Sequence, residues 1–315
     1  MKILFITSSR IGDAVLSTGI LNYIAEKFPE AKVTIVCGPL ATSLFEGYPN
    51  LDRIIPLKKK KANAHWIDLW KEVSGENWDR VIDLRNSLAT YFLRTNRRFS
   101  YGKNIDKKKH KVEQMAEVLR LKSPPAPKLW FTEKQKRDAK NFMNVEGPIL
   151  AIGPTANWPA KMWPSDRFVE IINDITRMDG ILPDAHVAIF AAKGEEKEAF
   201  QVLRFIPDDR QINMVAKVDP GTAAAALAHC DLFIGNDSGL MHCAAAVGTQ
   251  TIGLFGPGFP EIYRPWGDHA DYISTPENFK ELTNYQGYNP KTAPCLMKTL
   301  TVEDVKKKID RFWVK

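Results

Sequence analysis

Apolar residues in this chain gather in short runs, separated by stretches in which they recur every three or four positions. Short apolar runs bounded by turn residues read as buried strands, and the three-to-four spacing reads as one face of a helix. Residues 2–7 form such a run. A turn with Ser8, Ser9 and Gly12 follows it, and then Leu21, Ile24, Ala25 and Phe28 at helical spacing up to Pro29. The pattern predicts further strands over 33–37, 53–57 and 80–84, with helices near 40–46, 65–74 and 111–121. Strand alternating with helix predicts a parallel sheet covered on both faces. Ser123-Pro124-Pro125-Ala126-Pro127 sustains neither a helix nor a central strand. A helix is expected over 133–143, and Glu146-Gly147-Pro148 marks a domain boundary.

Beyond that boundary the alternation starts afresh with a strand over 149–153. Ser165 is expected to cap the next helix, which carries Phe168, Ile171, Ile172 and Ile175 on one face. Strands over 187–191, 232–235 and 251–255 then alternate with helices over 195–205, 222–229 and from Ser238 onward. A last helix over 302–312 has the pattern to pack on either domain. The chain is therefore expected to form two Rossmann-like, doubly wound α/β domains, 1–146 and 147–315. They would face a central cleft lined by strand C-termini, where such sheets bind ligands.

Composition narrows the class. Of 315 residues, 44% are hydrophobic and 26% charged, which excludes disordered, collagenous and coiled-coil chains. The opening apolar run is too short for a signal peptide, and no stretch nears the roughly 20 apolar residues that span a bilayer, so a cytoplasmic protein is expected. Cys37, Cys230, Cys243 and Cys295 are widely spaced and read as reduced thiols, with neither a zinc cluster nor a disulfide framework. Charge is divided unevenly. Residues 1–146 hold 27 Lys and Arg against 16 Asp and Glu, a net +11, while the remainder carries −4. A basic half implies an anionic partner: nucleic acid, a phosphorylated glycolipid or an acidic membrane surface. Nucleic acid is disfavoured, because no recognised nucleic-acid module is present and the basic residues are not interleaved with stacking aromatics.

Three turns carry candidate chemistry. Gly235-Asn236-Asp237-Ser238-Gly239-Leu240-Met241-His242 lies where a strand gives way to a helix. The unpaired amides of a first helical turn suit a diphosphate, and a carboxylate there suits sugar hydroxyls. Lys161, in Trp158-Pro159-Ala160-Lys161-Met162-Trp163-Pro164, is a point charge for phosphate on a loop stiffened by two prolines and two tryptophans. Asp13, in Ser8-Ser9-Arg10-Ile11-Gly12-Asp13-Ala14, sits at a helix start where a carboxylate can accept a proton. Each turn alone reads equally well as a helix cap or a solvated surface lysine. No GxGxxG dinucleotide fingerprint is present.

Taken together, the SSRIGD turn, the AKMWP loop, and the NDSGLMH turn followed by Gly253-Leu254-Phe255-Gly256-Pro257 resemble glycosyltransferase family 9, the heptosyltransferases of lipopolysaccharide core assembly. The resemblance implies a GT-B fold and an inverting, metal-independent transfer of heptose from ADP-L-glycero-D-manno-heptose to a lipid A–Kdo or heptosylated core acceptor. It implies no cofactor. It makes Asp13 the general base and gives Lys161, Asp237, Ser238 and Gly239, with His242 on the same turn, to the donor. Glu195 is assigned to the ribose, a main-chain group near Val218 to adenine, and Asn157 to the diphosphate in place of the hydroxyl common in relatives. Arg10, Arg94, Arg97 and Arg98, with the lysines at 58–61 and 107–109, are candidates for an anionic acceptor and for peripheral contact with the cytoplasmic face of the inner membrane. Alternatives within this reading are another nucleotide sugar or glycan acceptor, or a nucleotide-sugar-binding protein that has lost catalysis.

Overall fold

Residues 1–313 are described by a computed structural model, and they divide into two compact units. The division falls at Lys134/Gln135, twelve residues before the boundary expected from Glu146-Gly147-Pro148.

The first unit runs β1 (Lys2–Ile6), α1 (Ile11–Lys27), β2 (Lys32–Cys37), β3 (Leu51–Pro56), α2 (His65–Val73), β4 (Trp78–Asp83), β5 (Thr95–Ser100) and α3 (Lys111–Val118). Its five strands are all parallel, in the order β3-β2-β1-β4-β5. The central strands are buried on both faces, which is why they read as continuous apolar runs. Leu4, Ile6, Val36, Ile55, Leu69, Val73, Trp78, Val81 and Leu93 form one core cluster. Helix α1 is buried from Ala14 to Leu21, so its hydroxyls are satisfied by the helix's own main chain: Ser17 donates to the Ala14 carbonyl at 2.7 Å and Thr18 to the Val15 carbonyl at 2.6 Å. The proline-rich segment is a strap across this helix. A Cβ on Gly19 would lie 2.1 Å from the Pro125 carbonyl oxygen, so only glycine permits that approach.

The second unit runs α4 (Glu133–Met143), which straddles the division, then β6 (Ile149–Gly153), α5 (Ser165–Thr176), β7 (His186–Ile189), α6 (Glu196–Leu203), β8 (Gln211–Asn213), α7 (Pro220–Leu227), β9 (Leu232–Asn236), α8 (Gly239–Ala246), β10 (Gln250–Phe255), α9 (Pro260–Tyr263), β11 (Ala270–Ser274), α10 (Phe279–Thr283) and α11 (Val302–Trp313). Among the described residues its six parallel strands are ordered β11-β10-β9-β6-β7-β8. Both sheets thus follow the doubly wound order in which consecutive strands are laid down outward in one direction and then in the other.

Several local expectations change. The stretch expected as a helix over 40–46 is a 3-10 turn, Pro39–Leu44. Ser165 does not cap α5: Pro164 holds the cap position, and the Ser165 hydroxyl donates to Gln201 Oε1 at 3.1 Å. Helix α11 packs on α5 and β11, burying Val305, Ile309 and Phe312 in the core of the second unit. The apolar pattern does not predict strands β5, β8 and β11. The domain read as ending at residue 315 is described to residue 313, and 314–315 lie outside the described residues.

Candidate active site

In an open parallel sheet, the point where strand order reverses leaves a crevice at the strand C-termini. In the first unit the reversal separates β1 from β4, and Asp13 follows the first of these strands. The turn is tight: a Cβ on Gly38, at the end of β2, would lie 2.5 Å from the Ser9 Cα. Arg10, exposed, holds the N-cap position of α1, and its amide donates to Ser8 Oγ at 3.1 Å. Ser8 Oγ in turn makes a long 3.4 Å bond to Asp13 Oδ2. Asp13 Oδ1 is buried with no hydrogen-bond partner. Arg10, not Asp13, holds the N-cap of α1, and Asp13 lies within the first turn of that helix.

Sequence reasoning missed the groups around Asp13. Lys111, at the start of α3, donates to Gln114 Oε1 at 3.1 Å and to the Tyr101 hydroxyl at 3.3 Å, and its ammonium lies 4.8 Å from the Tyr101 ring centre. Tyr101 and Gln114 are also hydrogen-bonded to each other. Burial lowers the pKa of Lys111, and the charge of Asp13 opposes that shift. Burial also raises the pKa of Tyr101, to which Asp13 adds. Helix α3, which begins with Lys111, packs on α1, which carries Asp13, and the charge of Asp13 is felt at both Lys111 and Tyr101.

The other strand at this switch point, β4, ends in Asp83, in register with Ile6. Asp83 is fully buried and knits the following loop. Arg98 donates to the carbonyls of Leu93 at 3.1 Å and Tyr91 at 3.5 Å, and its guanidinium lies 5.3 Å from the Tyr91 ring. It is thereby engaged in holding that loop. Arg94 and Arg97 are exposed.

In the second unit the order reverses between β6 and β9, where Gly153 and Gly235 are in register. The two expected donor turns leave these strands side by side. Lys161 Nζ and Asp237 Oδ2 form an ion pair that bridges the turns, with the side chains 22% and 10% exposed. Ser238 precedes α8 at the N-cap position but makes no side-chain cap, and its hydroxyl is buried without a partner. The start of α8 at Gly239 thus presents first-turn amides beside an unused hydroxyl and an ammonium. His242 is buried in the body of α8.

Asn236 fixes this geometry. It is fully buried, accepts from the Trp163 amide at 3.0 Å and donates to the Pro154 carbonyl at 2.9 Å, tying both ends of the 154–163 loop to β9. The segment before α11 supports the loop from below: the Leu300 carbonyl accepts from Trp163 Nε1 at 2.9 Å, and the Leu296 amide donates to the Ala160 carbonyl at 3.0 Å. Asn157 is exposed on the same loop. Glu195 also joins it: its Oε2 accepts from Thr155 Oγ1 at 2.6 Å and from the Ala192 amide at 3.2 Å. Val218 is half-buried just ahead of α7, whose N-cap is Asp219. It lies on a separate segment from the Lys161–Asp237 pair.

Comparison with known proteins bears on the family and the fold. The model of glycosyltransferase family 9 (heptosyltransferase) matches residues 66–291. Lipooligosaccharide heptosyltransferase 2 of Campylobacter jejuni is 27% identical over 279 residues, covering 84% of each chain. A family 9 glycosyl transferase from Veillonella parvula superimposes with a TM-score of 0.82 at 21% identity, over 99% of this chain and 97% of that one. The Escherichia coli ADP-heptose LPS heptosyltransferase II does so with a TM-score of 0.74 at 21% identity, over 100% and 99%. The two parallel-sheet domains match the GT-B fold of these structures.

Proposed function

We propose, because this chain belongs to glycosyltransferase family 9, the heptosyltransferases, that it moves heptose from ADP-L-glycero-D-manno-heptose to the inner core of a lipopolysaccharide precursor, inverting the anomeric centre without a metal. The observation that carries this reading is the Lys161–Asp237 ion pair at the start of α8, with the Ser238 hydroxyl left unpartnered. A cation beside first-turn helix amides is a site for a diphosphate. The donor class follows from the E. coli enzyme, named for ADP-heptose, and the acceptor class from the C. jejuni relative, a lipooligosaccharide enzyme.

The reaction then divides between named residues. Asp13 takes the proton from the acceptor hydroxyl as its oxygen attacks the anomeric carbon. The sugar–phosphate bond breaks and its electron pair leaves with ADP. Lys161 and the α8 amides meet that growing negative charge with donors already in position, so the positive charge a metal would supply comes from the chain itself. A single displacement inverts the centre. Asp237 reads sugar hydroxyls and orients Lys161. Ser238 and Gly239 contact the diphosphate, with Asn157 as a further donor, His242 supports their turn, Glu195 binds the ribose and the main chain near Val218 the adenine. The basic first half, with Arg10, Arg94 and Arg97 exposed, attracts the acidic acceptor and the cytoplasmic face of the membrane that carries it.

Calorimetry with ADP-, UDP- and GDP-sugars tests the donor. ADP-heptose should bind at least about tenfold more tightly than the others, a difference of about 1.4 kcal/mol. Equal or tighter binding of a UDP-sugar would overturn the assignment.

A further inference from the structure

The loop between β4 and β5 has only Arg94 in the function proposed above, yet its inner side is firmly held. Asp83 Oδ1 accepts from the Arg85 amide at 2.8 Å, and Oδ2 accepts from the Ser87 amide at 2.7 Å, the Ser87 hydroxyl at 2.9 Å and the Thr90 hydroxyl at 3.0 Å. Thr90 is fully buried, Leu93 joins the core, and Arg98 clamps the carbonyls of Tyr91 and Leu93. With that side fixed, the outer side presents Leu88, Tyr91 and Phe92 at 74%, 53% and 70% exposure.

Helix α2 packs against the same turn. Its Leu69 and Val73 enter the core, while Ile67 and Trp70, three residues apart, are exposed. Single exposed apolar residues are ordinary, but five large ones on two packed elements mark an interaction surface. The flanking charge has one predominant sign. Residues 58–61 are four exposed lysines leading into α2, and Lys71, Arg85 and Arg94 are exposed as well, against Asp68, which pairs with Lys60 at 2.7 Å, and Glu72.

We propose that Leu88, Tyr91 and Phe92, with Ile67 and Trp70, form a wedge that enters the interfacial layer of an anionic lipid bilayer while the flanking lysines and arginines lie over its headgroups. Apolar and aromatic side chains ringed by cations fit that layer, where tails, headgroup dipoles and negative charge meet. A second copy of the chain fits poorly, since it would bring the same cations face to face. The wedge deepens the membrane contact read above: charge alone predicts attraction that salt abolishes, whereas insertion adds a part that salt spares.

The full chain is floated with vesicles of phosphatidylethanolamine and phosphatidylglycerol at 3:1, and with pure phosphatidylcholine, in low salt and in 1 M NaCl. Neither donor nor acceptor is present, so failure of the transferase reading leaves this result untouched. The wild-type chain should prefer the anionic vesicles, keep measurable binding in 1 M salt, and show a blue-shifted tryptophan spectrum on binding. The variant Leu88→Ser/Phe92→Ser should lose at least about tenfold in partitioning, with unchanged circular dichroism and unchanged ADP affinity. Wild-type partitioning by the variant would overturn the proposal, as would complete loss of wild-type binding in salt. So would concentration-dependent dimerisation of the wild-type chain that the variant abolishes.

Discussion

Lys161 and Asp237 are paired across two turns that leave neighbouring strands, 76 residues apart in the chain. The pair sets the position of the ammonium before any ligand arrives, and the carboxylate that holds it is nearly buried. Removing Lys161 would leave that carboxylate without its cation, and removing either partner disturbs the start of α8.

Lys161→Ala should therefore lower kcat/KM by about 10²–10³-fold, the usual loss when one preorganised donor to developing charge is removed. It should also weaken ADP binding. Lys161→Arg should rescue poorly, because a planar fork does not replace a compact ammonium in a partly buried pair. Steady-state kinetics decide, and unchanged kinetics would make Lys161 a surface lysine.

Asn236→Ala should destabilise the second unit. It leaves the Trp163 amide and the Pro154 carbonyl unpaired inside the protein, at about 1–3 kcal/mol for each group. Asn157→Ala, on the exposed side of the same loop, should stay within about 0.5 kcal/mol of the parent. Urea titration of both variants checks the contrast.

Thiol reactivity should separate one cysteine from three. Burial pushes Cys37 and Cys243 up to about 12 and raises Cys230 too, so at pH 8 these thiols remain protonated and shielded. Cys295 is only partly buried. Native protein with a chromogenic disulfide reagent should show Cys295 reacting first, and denaturant should release the other three.

Chelator should leave the transfer rate unchanged, since Lys161 and the α8 amides are assigned the charge that a metal would otherwise meet. Activity lost in EDTA and restored by a divalent ion would contradict that division of labour.

The alternation of apolar runs was enough to read both sheets, because the central strands are buried on both faces. It found the edge strand β3 but missed the other three edges, β5, β8 and β11. Strand β5 is Thr-Asn-Arg-Arg-Phe-Ser, with Asn96 and Arg97 exposed, and its polarity hides it. Lys161, Asp237 and Ser238 stood out because each lies in a turn with a local signature. Asn236 stood inside the same turn, but its role appears only when Pro154 and Trp163 are brought to it. Lys111, Tyr101 and Gln114 carry no periodicity that points to Asp13, since tertiary packing alone unites them. The stretch before α11 had no signature either, yet Leu296 and Leu300 support the Lys161 loop through main-chain bonds that any side chain would permit.

The assignment of Asp13 as the proton acceptor is tested most directly by Asp13→Asn, measured by ADP calorimetry and heptose transfer on the same preparation. ADP affinity should stay within about twofold while transfer falls by at least about 10²-fold. Transfer retained, or affinity for ADP lost along with it, would contradict the role given to this carboxylate.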